Sequence, residues 1–150
     1  RSIRLRRLRR FRWLQRCQEL LIRGENQTTE VTVDTIRALT RDEAMDLYRR
    51  YFWQPHRYER IHDQRIATKV FDLNVNAGSH VAHTCLQWAI RAVSGEVLVI
   101  DGVLGEKTLA ATNACEAALL VIALRCEASA YYRSLKQPHF EAGWLARAYA

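Results

Sequence analysis

The sequence predicts an all-α protein, or an α-dominated one with a short β piece near residues 30–34. Apolar residues recur at helical spacing in successive segments, and capping or breaking residues separate those segments by short connections. The chain has 150 residues, of which 49% are apolar, and this is the usual size of one domain with one core. We therefore expect a single helical domain.

The first predicted helix, residues 1–22, carries all of the excess positive charge. Eight arginines and no acidic residue occur within residues 1–16, while the rest of the chain has 15 basic and 16 acidic residues. Because like charges crowd this amphipathic pattern, we expect the segment to pack poorly against the body of the protein. An irregular stretch follows, in which Val31 and Val33 alternate with polar residues and favour a short strand.

The helices of the body are bounded by clear local signals. Thr40 to Glu43 matches the capping box and opens a helix that ends near Trp53 and Pro55. The segment from Cys115 to Leu135 is apolar nearly all round, which predicts the central core helix. The other helices are predicted at residues 64–75, 79–93, 108–113 and 140–149.

Composition excludes several classes of protein. No apolar run is long enough to span a membrane, and no signal peptide is visible. The four cysteines form no CxxC pair and indicate free thiols made in a reducing compartment. The basic excess is confined to one segment, so we expect no nucleic-acid partner. We also expect a monomer without metal or cofactor, since His80, His83 and Cys85 lack a fourth ligand motif.

A series of short motifs from residue 37 onward resembles family 108 of the glycoside hydrolases, together with the peptidoglycan-binding segment that follows it. The matching pieces include RALTRDEA at 37–44, VNAG at 75–78, LQWA at 86–89, DGVLG at 101–105 and GWL at 143–145. The resemblance implies a lysozyme-like fold and cleavage between N-acetylmuramic acid and N-acetylglucosamine in peptidoglycan, as in phage endolysins. It divides the chain into a poorly matching segment 1–30, a catalytic remainder 31–84 and a peptidoglycan-binding segment 85–150.

Five residues are candidates for binding the glycan strand. Asp72, Asn74 and Asn76 stand near a helix end, where amides and carboxylates can bond sugar hydroxyls or simply brace the break at Gly78. Trp53 and Trp144 can stack on sugar faces or belong to the core.

No motif in this chain identifies the general acid that the family uses. The family carries it in a Glu-Gly-Gly-Tyr motif near the start, and this chain has no Glu-Gly-Gly. Glu19 and Glu25 are the only carboxylates nearby, and they are the catalytic candidates. Arginine-rich, acid-free sequence is also what GC-rich coding DNA gives in a wrong reading frame, so a frameshift before about residue 30 is a further hypothesis.

Three functions remain open from the sequence. The first is a muramidase made in the cytoplasm and acting on the cell wall after release, impaired by its atypical N-terminus. The second is a non-catalytic wall-binding relative that has lost its acid. The third is a lytic protein whose basic residues 1–16 engage an anionic membrane surface.

Overall fold

The computed structural model describes residues 33–150, apart from the side chains of residues 33, 35 and 36. All regular secondary structure in this part is helical, which confirms the predicted all-α class. Val33 begins a helix in which Asp34 lies in the first turn, so the predicted β piece is wrong at residues 33 and 34. An acidic residue in the first turn favours a helix, and one alternation of valines is a weak strand signal. Residues 30–32 lie outside the description.

The chain divides into two compact units, Arg1–Tyr51 and Phe52–Ala150. In the first unit, α1 spans Val33–Ala38 and α2 spans Arg41–Tyr48. The capping box of α2 is formed, because the Glu43 amide donates to Thr40 Oγ1 at 3.3 Å and the Thr40 amide donates to Glu43 Oε2 at 2.8 Å. The boundaries proposed at residues 30 and 84 stay predictions.

A series of short turns leads into the second unit. A π-helical turn, Arg49–Trp53, is followed by two 3₁₀ turns, Gln54–His56 and Tyr58–Arg60. The long helices come next. They are α3 Gln64–Ala77, α4 Ser79–Ser94, α5 Glu106–Ala114, α6 Ala117–Ser134 and α7 Pro138–Tyr149. Their ends all fall within two residues of the predicted ones, and α7 begins at Pro138, whose fixed φ suits a first helical turn.

Gly78 separates α3 from α4 by a backbone conformation that other residues rarely adopt. Its φ of 96° and ψ of 158° lie in a region essentially restricted to glycine. The sequence signal at residues 76–78 is therefore confirmed as a helix break. It allows α3 and α4 to pack side by side as neighbours in one core.

The core of the second unit is formed by α3, α4 and α6, with α7 packed on α6. Leu120, Val121 and Leu124 of α6 are buried, as the prediction of a core helix requires. The same helix leaves Ala118, Leu119 and Ile122 exposed, so its apolar character nearly all round does not correspond to burial on every side. Its neighbours cover one side only. No helix in the described part is long and apolar enough to cross a membrane.

Candidate functional site

A groove lined by one of the predicted site residues, Asp72, lies between α3, α6 and α7. It has a volume of about 740 Å³. Four basic side chains and one acidic side chain line it: Arg65, Lys69, Arg125, Arg147 and Asp72. Its size is that of an ordinary ligand pocket, and its charged side chains can form hydrogen bonds with a polar ligand.

Asp72 and Asn76 are brought together by their position one helical turn apart. Asn76 Nδ2 donates to the Asp72 main-chain oxygen at 2.6 Å and to Asp72 Oδ1 at 3.2 Å. Arg147 Nη1 from α7 donates to the same carboxylate oxygen at 2.8 Å. The carboxylate therefore serves as an acceptor in this arrangement, and it links two helices at the edge of the groove.

Lys69 lines the groove and joins α3 to α7. Its side chain is buried, and Nζ donates to the main-chain oxygen of Arg147 at 2.5 Å. Burial lowers the pKa of this amine, and the nearby Asp72 carboxylate partly opposes that shift. Arg147 is thus held at its main chain by Lys69 and at its side chain by Asp72. Sequence reasoning missed Lys69, although its place on the face of Ile66 and Leu73 was a signal.

The other predicted binding residues do not line this groove. Asn74 is only 2% exposed, and its Nδ2 donates to the main-chain oxygen of Phe52 at 3.2 Å, which is the bracing arrangement. Trp53 meets Phe71 edge-on at 5.5 Å between ring centroids. Trp144 stacks on Tyr132 at 5.7 Å, so both tryptophans pack against the core. Their contact with sugars stays a prediction. Glu19 and Glu25 lie outside the described residues.

The LQWA and DGVLG motifs meet in one hydrogen-bonded clamp. Gln87 Nε2 donates to Asp101 Oδ1 at 2.7 Å and to the Val103 main-chain oxygen at 3.1 Å, while Oε1 accepts from the Gly102 amide at 2.9 Å. The hydrogen bond from Gln87 also holds the pKa of Asp101 below its usual range. These hydrogen bonds give both motifs a structural role, since they hold the loop at residues 101–105 against α4.

His83 lies one helical turn before Gln87 on α4 and is hydrogen-bonded to the same loop. Its Nδ1 lies 3.0 Å from the Gly102 main-chain oxygen, which can only accept, so this nitrogen carries the proton. Nε2 then accepts from the Tyr58 hydroxyl at 3.0 Å. Both ring nitrogens are occupied in the interior. Burial, with smaller effects from His56 and His80, lowers the pKa of His83 to about 4.

We expect stability to depend on pH through His83. Its pKa of about 4 in the folded chain lies below the ordinary value of 6.5, so the unfolded chain binds the proton more tightly. The free energy of unfolding should be highest above pH 6.5. It should decrease by about 3 kcal/mol as the pH falls from 6.5 to 4. Urea unfolding across this range measures it. His83→Gln should flatten the slope, and an equal slope in both proteins would contradict the assignment.

Comparisons with known proteins agree with this picture in fold. Residues 8–78 match the family model described as Glycosyl hydrolase 108. The solved structure titled "Structure of Brucella abortus SagA" is similar with a TM-score of 0.67 and 23% identity, over 87% of this chain and 71% of that one. A search of curated proteins gives no match. The family match begins at residue 8. It therefore includes most of residues 1–30, the segment in which the motifs showed little resemblance to the family.

Proposed function

Residues 8–78 of this chain match the glycosyl hydrolase 108 family model, and from that match we propose that the protein is an N-acetylmuramidase. The family match supports a lysozyme-like hydrolase of peptidoglycan in general terms. The finer proposal is that it cuts between N-acetylmuramic acid and N-acetylglucosamine. We also propose that residues 85–150 bind peptidoglycan and that the protein acts at the cell wall.

The family match is the observation that carries this proposal. It spans both acid candidates, Glu19 and Glu25, as well as Asp72, which lines the groove. Hydrolysis of a glycosidic bond needs a carboxyl group that protonates the leaving oxygen, and usually a second carboxylate across the sugar. Asp72 already accepts from Arg147 and Asn76, so it suits binding of hydroxyl groups better than proton donation.

The new reducing ends produced from purified peptidoglycan test the proposal. A muramidase leaves N-acetylmuramic acid at the reducing end, so borohydride reduction after digestion should convert that sugar to its alcohol. The appearance of reduced N-acetylglucosamine instead would assign the other glycan bond. Release of peptides without new reducing sugars would overturn glycan cleavage altogether.

A wall-binding protein without catalysis is the second candidate, and the missing Glu-Gly-Gly sequence favours it. This candidate predicts sedimentation of the protein with insoluble peptidoglycan and no reducing-sugar release at any enzyme concentration. The two functions therefore separate in one experiment, in which binding and turnover are measured on the same wall preparation.

We expect Asp72→Asn to weaken binding to insoluble peptidoglycan by roughly three- to tenfold if the groove beside it holds glycan, because a charged acceptor is lost. Stability should change little, since the ion pair with Arg147 is half exposed. Asp34→Asn, an exposed carboxylate in the first unit, is the matched control. Equal binding by both variants would exclude the groove as a glycan site.

A further inference from the structure

One face of α6 is left uncovered by its neighbours, and this face is apolar. Leu119 and Ile122 are 54% and 56% exposed, and Cys126 and Ala130 are exposed in the turns that follow. At about 100° per residue these four side chains lie in one row along the helix, opposite the buried Leu124. We call this row, about 17 Å long, the outer face of α6. Contiguous exposed apolar surface of this kind commonly marks an interaction site.

The charged residues of this helix lie beside the outer face or at its two ends. Arg125 lines the groove between α3, α6 and α7, and Glu127 lines a smaller groove between α4 and α6. Glu116 caps the N-terminus of the helix and Arg133 lies in its last turn, and both residues are exposed. The outer face therefore has an acidic end, an uncharged apolar centre and a basic end.

This order of charges is complementary to itself. If a second copy of α6 crosses the outer face in the antiparallel direction, each Glu116 meets Arg133 of the other copy, and the two-fold axis repeats the contact at both ends. The same register places Leu119 against the small Ala130 of the other copy, so that a large side chain faces a small one. The dipoles of the two helices also oppose each other in this arrangement.

The arginine-rich segment 1–16 matches the outer face less well. Its apolar residues recur at helical spacing, but its eight arginines would meet only one carboxylate there, that of Glu116 at one end. Placing the remaining arginines against an apolar surface is costly. A second copy of the chain instead matches the face in both polarity and charge.

We propose that two copies of the chain associate through the outer face of α6, packed antiparallel about a two-fold axis. The sequence alone led to the expectation of a monomer, and the uncovered face of α6 is the observation that changes it. One row of side chains buries less area than the roughly 800 Å² per partner of a standard stable complex. The dimer is therefore a weak one, which forms as the concentration rises.

Sedimentation equilibrium of the full chain, kept reduced and measured from micromolar to millimolar concentration, tests the proposal. The mean mass should rise from that of one chain towards that of two. Ile122→Glu should weaken association by more than about tenfold, because it places a carboxylate in the apolar centre. Val97→Glu is the matched control, since this valine is 83% exposed in the loop between α4 and α5. The control should leave association unchanged.

The direction of packing is tested by Arg133→Gln. In the antiparallel dimer this change removes an ion pair with Glu116 at each end, so association should weaken by about three- to tenfold. A parallel pair would bring the two Arg133 side chains together, and the same change would then strengthen association. Stronger association in this variant would therefore contradict the antiparallel arrangement.

Oxidation by diamide tests the same arrangement through Cys126, which lies near the proposed two-fold axis. In a Cys17→Ser chain, the Cys126 thiols of two copies should form one disulfide, and diamide accepts the two electrons and two protons that they lose. The cross-linked dimer should be absent after Cys126→Ser. It should be retained after Cys115→Ser, which removes a half-buried thiol outside the outer face.

A chain that stays monomeric at every concentration would overturn the proposal, and so would association that Ile122→Glu leaves unchanged. An equal loss of association in Ile122→Glu and Val97→Glu would also overturn it, because the cause would then be the added charge alone. Binding of a monomeric chain to neutral lipid vesicles through Ile122 would assign the outer face to a membrane instead. None of these measurements depends on glycan cleavage, so the proposed function and this inference can fail separately.

Discussion

Replacing Gln87 by leucine is expected to lower the free energy of unfolding by about 3 kcal/mol, since several hydrogen bonds are lost together. The side chain is only 1% exposed, and its amide joins α4 to the Asp101 carboxylate, the Gly102 amide and the Val103 oxygen. Leucine fills a similar volume but satisfies none of these groups. The Gly102 amide, which is buried, would lose its acceptor.

Urea unfolding followed by circular dichroism measures this loss. Gln64→Leu is the matched control, because the same chemical change removes only an exposed contact with Thr68. The control should change the free energy of unfolding by less than about 0.5 kcal/mol. A similar loss in both variants would mean that added hydrophobicity, rather than the broken clamp, is responsible. A neutral Gln87→Leu would show that the loop is held mainly by His83.

Most helix ends were predictable because each depends on residues close in the chain. The Thr40 capping box and the Gly78 break act within four residues of the ends they define, and both formed as predicted. The Asp63 and Glu116 carboxylates, which cap α3 and α6, act over the same short range. The exposure of Leu119 and Ile122 was not predictable, since periodicity cannot tell how many neighbours a helix will have.

The candidate site was predictable only where it depends on helical spacing. Asp72 and Asn76 are four residues apart and share a face, whereas Asn74 lies two residues from each and turns into the core. The different orientation of Asn74 could therefore have been predicted from the sequence. The contacts from Arg147 to Lys69 and Asp72 could not, because they join residues more than seventy positions apart.

The largest expected effect on activity concerns the general acid. We expect the chain as it stands to release reducing sugar from purified peptidoglycan weakly or not at all. A chain in which a family-type Glu-Gly-Gly segment replaces residues 1–30 should be faster by roughly 100- to 10,000-fold, because proton donation to the leaving oxygen contributes that much to the rate. The walls formed by residues 33–150 are the same in both proteins, so binding to the insoluble substrate should change far less than turnover.

Glutamine substitutions in the unmodified chain identify any acid that it retains. Glu19→Gln and Glu25→Gln each remove a proton donor while keeping the size of the side chain, and the two serve as controls for one another. Residual cleavage that disappears in one variant and survives in the other names the acid. Cleavage untouched by both would place the acid elsewhere, and Asp72→Asn then becomes the decisive variant. Full activity of the unmodified chain would contradict an impaired site, because it would require an acid outside the Glu-Gly-Gly motif to donate as efficiently as the family's own.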